Sequence, residues 1–331
     1  MKKTILVVGG AGYIGSHACK ALSSAGYTPV TYDNFVHGHE WAVKWGPLER
    51  GDTIDRENLD AVFARYQPQG VMHFAAHSLV GESVVDPGKY YRNNTLGSLT
   101  LLEAMRDHDV DQIVFSSTCS TYGVPEIMPI PDHHQQNPIN PYGSSKYMVE
   151  RMMADFELAH GLHSISLRYF NAAGADPDCE IGEDHNPETH LIPLVLEAAA
   201  GLRPQITVFG CDYDTPDGTC LRDYIHVSDL ASAHVLALQA LERNGKSGFY
   251  NLGNGKGYSV QEVIDMAIQV TGKPIAVVKG ERRAGDPPQL VADSMKAKAE
   301  LGWNPQFDDL EFMVRTAWRW LVKNRKLGAK G

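Results

Sequence analysis

The chain has 331 residues, 43% of them hydrophobic and 21% charged, which excludes a disordered chain and predicts two interleaved lobes around sizeable cores. A net charge of −10 argues against nucleic acid as a general partner, because a phosphate backbone selects a basic face, but it leaves room for a nucleotide held by a few arginines. Five scattered cysteines with no CxxC pair fit a reducing compartment, and no stretch is apolar enough to span a bilayer, so a cytoplasmic location is expected.

The first half alternates apolar runs with helical segments, as in a parallel sheet with crossover helices. Residues 5–8, 29–32, 71–74, 113–116 and 164–169 are expected as buried strands, with a weaker one near Gly51. Helices are expected at about 11–24, 58–66, 90–107 and 141–160. The fold class is therefore α/β, a Rossmann-type doubly wound parallel sheet followed by a smaller α/β lobe.

Between the first strand and the first helix stands Gly9-Gly10-Ala11-Gly12-Tyr13-Ile14-Gly15. Glycines at 9, 12 and 15 permit a tight turn and close backbone approach, and the following helix N-terminus offers donors to a pyrophosphate. Asp33 closes the next strand at the distance expected for an acid that accepts from the adenosine ribose 2′-hydroxyl. No arginine follows in Asn34-Phe35-Val36-His37-Gly38 to receive a 2′-phosphate, so NAD is favoured over NADP.

The fourth expected helix is well signposted. Asn140 suits the N-cap, Pro141 the first turn and Gly161 the left-handed C-cap. Tyr142, Lys146, Val149, Met153 and Phe156 share one stripe at helical spacing, so the phenol and the ammonium face inward. Upstream, Ser116-Ser117-Thr118 ends a strand. A phenol, an ammonium and a hydroxyl beside a nicotinamide form a set for alcohol–ketone chemistry. A free phenol, with a pKa of about 10, is a poor base at neutral pH. Lys146 and a positive nicotinamide ring are expected to favour phenolate, a change of about 4 kcal/mol if the pKa is to reach 7. Thr118 is too weak a base alone but can relay the proton or orient the reacting oxygen.

Fourteen histidines invite a metal reading. His133-His134 lies in a Pro- and Asn-rich loop, His226 ends a strand and His234 sits on a helix, so surface or core roles are expected and no metal. After Arg168 the connections lengthen. Ser259 with Glu262, and Asp308 with Glu311, have capping-box spacing, and the basic tail Lys323, Arg325, Lys326 and Lys330 reads as a solvated terminus.

The glycine turn, Asp33-Asn34, His73-Phe74-Ala75-Ala76, Tyr91-Arg92-Asn93-Asn94, Ser116-Ser117-Thr118, Tyr142 with Lys146, and Arg168-Tyr169-Phe170-Asn171 are similar to the extended short-chain dehydrogenase/reductase superfamily. Val80-Gly81-Glu82-Ser83, Asp217-Gly218-Thr219, Arg222-Asp223-Tyr224-Ile225-His226-Val227, Arg283-Ala284-Gly285-Asp286 and the stretch 296–305 resemble its UDP-glucose 4-epimerase family nearly end to end. The resemblance implies an isomerase that interconverts UDP-glucose and UDP-galactose through a transient 4-keto sugar, with NAD as a retained cofactor and a homodimer as the assembly. It implies a NAD-binding domain at 1–170 plus about 222–250, and a UDP-sugar-binding domain at about 171–221 plus 251–331. By matching position it implies catalysis by Thr118, Tyr142 and Lys146. Cofactor contacts would come from Tyr13, Ile14, Asp33, Asn34, Asp52, Thr53, Phe74, Ala75, Asn93, Tyr142, Lys146 and Phe170. Substrate contacts would come from Thr118, Tyr142, Asn171, Arg222, Arg283, Asp286 and Leu290.

Three departures from the family pattern matter. Ser78 replaces a common lysine, Thr118 replaces a serine, and Leu290 stands where some members have tyrosine, leaving room for an N-acetyl group. A 4,6-dehydratase is disfavoured because Cys119-Ser120, not Asp-Glu, follow Thr118. Epimerases of UDP-xylose/UDP-arabinose, UDP-glucuronate or UDP-N-acetylglucosamine stay open as alternatives. A non-catalytic NAD-sensing regulator is the alternative of a different class, and it could dispense with the proton-transfer cluster.

Overall fold

Alternation of apolar strands and amphipathic helices folds into layers in the computed structural model, which describes residues 2–283 and 287–327. Strands β1 (Thr4–Val8), β2 (Thr28–Asp33), β3 (Leu48–Arg50), β4 (Gly70–His73), β5 (Gln112–Thr118) and β6 (His163–Tyr169) build one sheet. Between them run helices α1 (Tyr13–Ser24), α2 (Arg56–Tyr66), α3 (Val80–Val85), α4 (Pro87–Tyr90), α5 (Gly97–Asp107) and α6 (Pro141–His160). The second half adds β7 (Asn171–Ala173), α7 (Leu191–Ala199), β8 (Ile206–Phe209), β9 (Leu221–His226), α8 (Val227–Asn244) and β10 (Gly248–Leu252). It ends with β11 (Gly257–Ser259), α9 (Val260–Thr271), β12 (Val277–Gly280), β13 (Gln289–Leu290) and α10 (Leu310–Asn324).

The large sheet has the order β10-β6-β5-β4-β1-β2-β3, parallel throughout. Chain order reverses between β1 and β4, which opens the crevice where an open parallel sheet takes its ligand. Both faces are dry. On one, Ile5, Val7, Leu22, Ile165 and Leu167 pack with Leu230, Leu238 and Trp303. On the other, Leu6, Val8, Leu59, Phe63, Leu101, Phe115, Val149 and Met153 form a second core. This is the doubly wound Rossmann-type sheet expected from the strand and helix pattern.

The smaller lobe has its own core, in which Ile192, Leu196, Ile206, Tyr224, Val263, Met313 and Val314 unite α7, α9 and α10. Its sheet runs β11-β9-β13, with β7 also pairing β9. The segment Leu221–His226 therefore lies in the small sheet, while α8 and β10, which follow it, return to the large one.

Local chemistry accounts for most boundaries. Asn140 Oδ1 accepts from Gly143 N at 2.8 Å, Pro141 opens α6, and Gly161 ends it at φ 72°. Ser259 and Glu262 close a reciprocal capping box at the start of α9. At α10 the cap is Asp309, one residue beyond the expected Asp308, and it accepts from Glu311 N and Phe312 N. The helix expected at 90–107 is not continuous: a π-helical turn at Tyr91–Leu96 joins α4 to α5. Such turns have no distinct residue code and cluster at functional sites. The described tail cations Lys323, Arg325 and Lys326 are exposed, as expected, although Lys323 Nζ donates to Cys179 O and Arg325 to Asp184. Lys330 lies outside the described residues.

Candidate active site

At the β1–α1 turn the backbone closes on itself. A Cβ on Gly9 (φ +83°) would stand 2.5 Å from Ala75 N, and one on Gly15 would stand 2.1 Å from Gly9 O. Gly12 is less confined, its nearest neighbour to a Cβ lying at 3.4 Å, and it gives α1 no side-chain cap. The first N–H groups of a 12-residue helix are thus left to an outside acceptor beside bare backbone, which fits a pyrophosphate. Asp33 is buried at the end of β2, where Ala11 N and Phe35 N donate to its two oxygens at 3.0 and 2.8 Å. Burial raises its pKa against those two bonds, yet each oxygen keeps a lone pair for a ribose hydroxyl. The residues fit a dinucleotide with a free 2′-hydroxyl.

The remaining cofactor candidates ring this turn with varying directness. Asn34 donates to Asp52 at 2.8 Å, and Thr53 is buried against Gly97. Phe74 N and Ala75 N both donate to Val8 O, tying the end of β4 to the turn. Ile14 packs into the first core, and Asn93 sits on the π-helical turn, donating to Asn94. Tyr13 turns its hydroxyl away to Gly174 O at 2.6 Å, so only its backbone remains to face a ligand at the turn.

Thr118, Tyr142 and Lys146 come together at the C-terminal ends of β5 and β6. Gly143 allows this approach, since a Cβ there would stand 2.4 Å from Ser120 O. Lys146 is buried, with Nζ 2.9 Å from Ser116 O and 4.7 Å from the Phe115 ring centroid. The Tyr142 side chain sits deep in the cleft but keeps some surface open. Burial pushes its phenol well above the usual value, Tyr169 adds to this, and a hydrogen bond with Thr118 acts in the opposite direction. In the cofactor-free chain the phenol is therefore the favoured form, without the nicotinamide charge on which the expected phenolate also depends. Desolvation exceeds the help available, and it also acts on the neighbouring cation.

That cation is Lys146, whose pKa burial lowers to about 7 despite the attraction of Glu150. The folded value lies below the 10.5 of a free lysine, so the stability gained from a neutral amine is complete above pH 10.5 and is lost as pH falls towards 7. Lys146→Met is therefore expected to raise the thermal midpoint of the cofactor-free chain at pH 7. The gain is worth about 1.4 kcal/mol per unit of pKa shift, a few kcal/mol at most, and should vanish at high pH. Calorimetry at pH 7 and pH 10 reads this; an unchanged midpoint at pH 7 would show that the ammonium costs nothing where it lies.

Sequence reasoning missed the supports of this cluster. Asn94, buried on the π-helical turn, donates to Ser145 and to His77 O. Ser145 donates in turn to Tyr142 O at 2.7 Å. Glu150, one turn beyond Lys146, grips Arg168 through two nitrogens at 3.0 and 2.6 Å. The i, i+4 spacing of Lys146 and Glu150 was the available signal.

The substrate candidates come from other elements. Asn171 lies on β7, and Arg222 on β9, paired with Leu290 of β13. Arg222 is near enough to Cys119 and Tyr224 to act on both electrostatically. Leu290 and Phe170 pack with Cys119, Tyr122 and Ile130, directly beyond Thr118. Arg283 lies exposed over the Phe209 ring at 4.2 Å. Asp286 falls outside the described residues. His226 and His234 are buried core histidines, their pKa values lowered by desolvation to about 3 and about 4.

Residues 5–253 match the NAD dependent epimerase/dehydratase family. A UDP-glucose 4-epimerase of Rhizobium meliloti is 54% identical over 324 residues, 98% of each chain. One from Halalkalibacterium halodurans is 52% identical over 316 residues, 96% of this chain and 95% of its own. The crystal structure of UDP-glucose 4-epimerase from Brucella ovis in complex with NAD superposes with a TM-score of 0.94 at 51% identity, over 96% of this chain and 98% of that one. A fold with its switch-point crevice at the glycine turn, a proton-transfer cluster beside it and these matches lead to one assignment: the chain belongs to the NAD dependent epimerase/dehydratase family.

Proposed function

We propose that the chain is an NAD-dependent UDP-glucose 4-epimerase, an isomerase that interconverts UDP-glucose and UDP-galactose. The observation that carries the reading is the Thr118–Tyr142–Lys146 cluster at the crevice edge, in a chain half identical to UDP-glucose 4-epimerases along nearly its whole length. NAD, when bound, supplies the acceptor and donor for the electron pair at sugar C4. Gly9, Gly12 and Gly15 would cradle its pyrophosphate, and Asp33 its adenosine ribose. Asn34, Asp52, Thr53, Phe74, Ala75, Asn93 and Phe170 would line the rest, with the backbone of Tyr13 and Ile14 at the helix start.

Tyr142 takes the proton of the sugar 4-hydroxyl at its phenolic oxygen and later returns it. Thr118 holds the reacting oxygen and the phenol in one hydrogen-bonded line. Lys146 steadies the nicotinamide ribose and favours the phenolate whenever it is charged. Arg222 and Arg283 would hold the UDP diphosphate with charge-assisted bonds, Asn171 and Asp286 would take polar groups of the substrate, and the sugar itself must stay loosely held so that either face can be presented. On this reading residues 1–170 and about 222–250 serve the cofactor, and the rest serve the UDP-sugar.

The turn after Thr118 also supports this choice over dehydration. Cys119–Thr121 form a 3₁₀ turn that Thr118 caps through Ser120 N, with neither acid nor base of the kind water elimination needs. The deciding experiment mixes purified protein with UDP-galactose and follows UDP-glucose. Conversion without added reductant supports the proposal, and none, with NAD bound, favours a non-catalytic NAD-sensing protein. The same panel with UDP-xylose, UDP-glucuronate and UDP-N-acetylglucosamine ranks the sugars.

Leu290 is proposed as the residue that sets the sugar's bulk, because it packs beyond Thr118 with Phe170 and Cys119. Leu290→Tyr should cut kcat/KM for UDP-N-acetylglucosamine by roughly 10–100-fold while changing UDP-glucose little. Absence of wild-type turnover of the N-acetyl sugar would remove Leu290 from this role. A homodimer is also proposed; Val84, Val85, Leu96 and Met148 leave apolar side chains exposed on neighbouring elements, and a monomer in sedimentation velocity would reject it.

A further inference from the structure

Away from the proton-transfer cluster, the loop before α7 gathers four donor groups. Glu183, His185, Glu188 and His190 each bring one ligand atom within 4.8 Å of the other three. His190 Nδ1 lies 2.7 Å from Glu183 Oε1 and 3.0 Å from Glu188 Oε1. His185 Nδ1 lies 3.0 Å from the same Glu183 oxygen and 3.7 Å from Glu188 Oε2. Each ring nitrogen thus faces both carboxylates, and each carboxylate faces both rings.

One N–H per ring accounts for His185 with Glu183 and His190 with Glu188, each at 3.0 Å, but not for the further approach of His190 to Glu183 at 2.7 Å, because an N–H bond weakens steeply off its direction. A common centre accounts for it. Four ligands held at about 2.0–2.2 Å around a tetrahedral cation stand roughly 3.3–3.6 Å apart, and the observed separations of 2.7 to 3.7 Å, which run to Oε1 of Glu183 and to both oxygens of Glu188, lie near that edge. The carboxylates are nearly buried, with 7% of each side chain exposed. The neighbouring acids Asp176, Asp178 and Glu180 make a useful contrast. Lys20 Nζ already occupies their centre at 2.8–3.0 Å, so they need no ion.

We propose that Glu183, His185, Glu188 and His190 form a binding site for a divalent transition cation of the zinc type. Two imidazoles select against Mg²⁺ and Ca²⁺, which prefer all-oxygen shells. Four protein ligands without an open position mark a structural site. The groups around it hold the ligands in place. Glu188 Oε1 accepts from Thr189 N and His190 N at 2.7 and 2.8 Å, and Trp320 of α10 donates to Glu183 O at 2.9 Å. His185 meets the Tyr13 ring edge to face at 6.2 Å, and Tyr13 is the first residue of α1. The ion would therefore pin this loop, which α10 holds from one side, against the dinucleotide turn. The proposal stands apart from the enzymatic one, and either can fail alone.

Untagged protein is stripped with a chelator, incubated with two equivalents of Zn²⁺, passed through gel filtration and measured for metal and melting temperature. One zinc per chain is expected, with a rise in melting temperature on the order of 5 °C and no rise with millimolar Mg²⁺. His185→Ala/His190→Ala should lose both effects, whereas His133→Ala/His134→Ala should keep them. Co²⁺ in the wild-type protein gives a readout that needs no variant: intense visible bands of a tetrahedral ion support the site. Zinc-free wild type, a pale six-coordinate cobalt spectrum, or equal zinc in the His185/His190 variant overturns it and leaves two imidazole–carboxylate ion pairs.

Discussion

Tyr142→Phe is expected to lower turnover of UDP-galactose by roughly 10²–10⁴-fold while the protein keeps its NAD. The phenyl ring fills the same space in the cleft, so the fold and the edge contact with Tyr90, whose ring centroid is 6.5 Å away, should persist. What disappears is the only atom of the side chain that can take a proton. That loss corresponds to about 3–5 kcal/mol of barrier. Desolvation holds the phenol well above its usual pKa in the cofactor-free chain, and the Thr118 hydroxyl pulls it down without overcoming burial. The phenolate must therefore draw on a positive charge beside it, from a charged Lys146 or from the ligand. This makes activity sensitive to the state of Lys146, whose pKa burial lowers to about 7 in the cofactor-free chain. Cofactor content, read by chromatography of the acid-released nucleotide, separates a catalytic loss from a binding loss. Near-wild-type turnover in Tyr142→Phe would remove Tyr142 from proton transfer.

How much of this was legible from residues alone depends on whether the information is local. The glycine turn read through because it reports one backbone need, and Asp33 closes β2 where it was expected, although its bonds from Ala11 N and Phe35 N were not foreseen. The helix carrying Tyr142 read through because Asn140, Pro141 and Gly161 are caps with their own chemistry. The π-helical turn at Tyr91–Leu96 did not, since its residues are compatible with an α-helix and the segment's packing, against α6 among others, is not local in sequence. The pairing of His185 and His190 with Glu183 and Glu188 was equally hidden. Five-residue spacing names no element, and a loop brings the four together only once Trp320 and Tyr13 have fixed its path. Helical spacing reveals the neighbouring lysine but not how far burial alone raises the phenol and lowers the ammonium before a cofactor is bound.

Glu150→Ala is expected to cost about 3–5 kcal/mol of stability, the usual penalty for stranding a buried charge. The Arg168 and Glu150 side chains are 4% and 9% exposed and meet at 2.6 Å. Arg168 also donates to Tyr122 and to Asp132 O, while Ser117 and Gln136 donate to the same carboxylate. Removing Glu150 leaves a guanidinium that cannot shed its proton in a place water does not reach, with its two best acceptors gone. At roughly 2–4 °C per kcal/mol the melting temperature should fall by on the order of 10 °C. The consequence also reaches the chemistry, for Glu150 joins α6 to the ends of β5 and β6 and is the carboxylate that favours the Lys146 ammonium. Without it the lysine's pKa falls further, so activity at neutral pH should drop even at temperatures where the variant stays folded. Glu150→Gln keeps an acceptor for Arg168 and should lose less stability, yet it removes the same charge from Lys146. If Glu150→Ala melts with the wild-type protein, the pair is replaceable by water and α6 is positioned by its caps and by Gly143 alone.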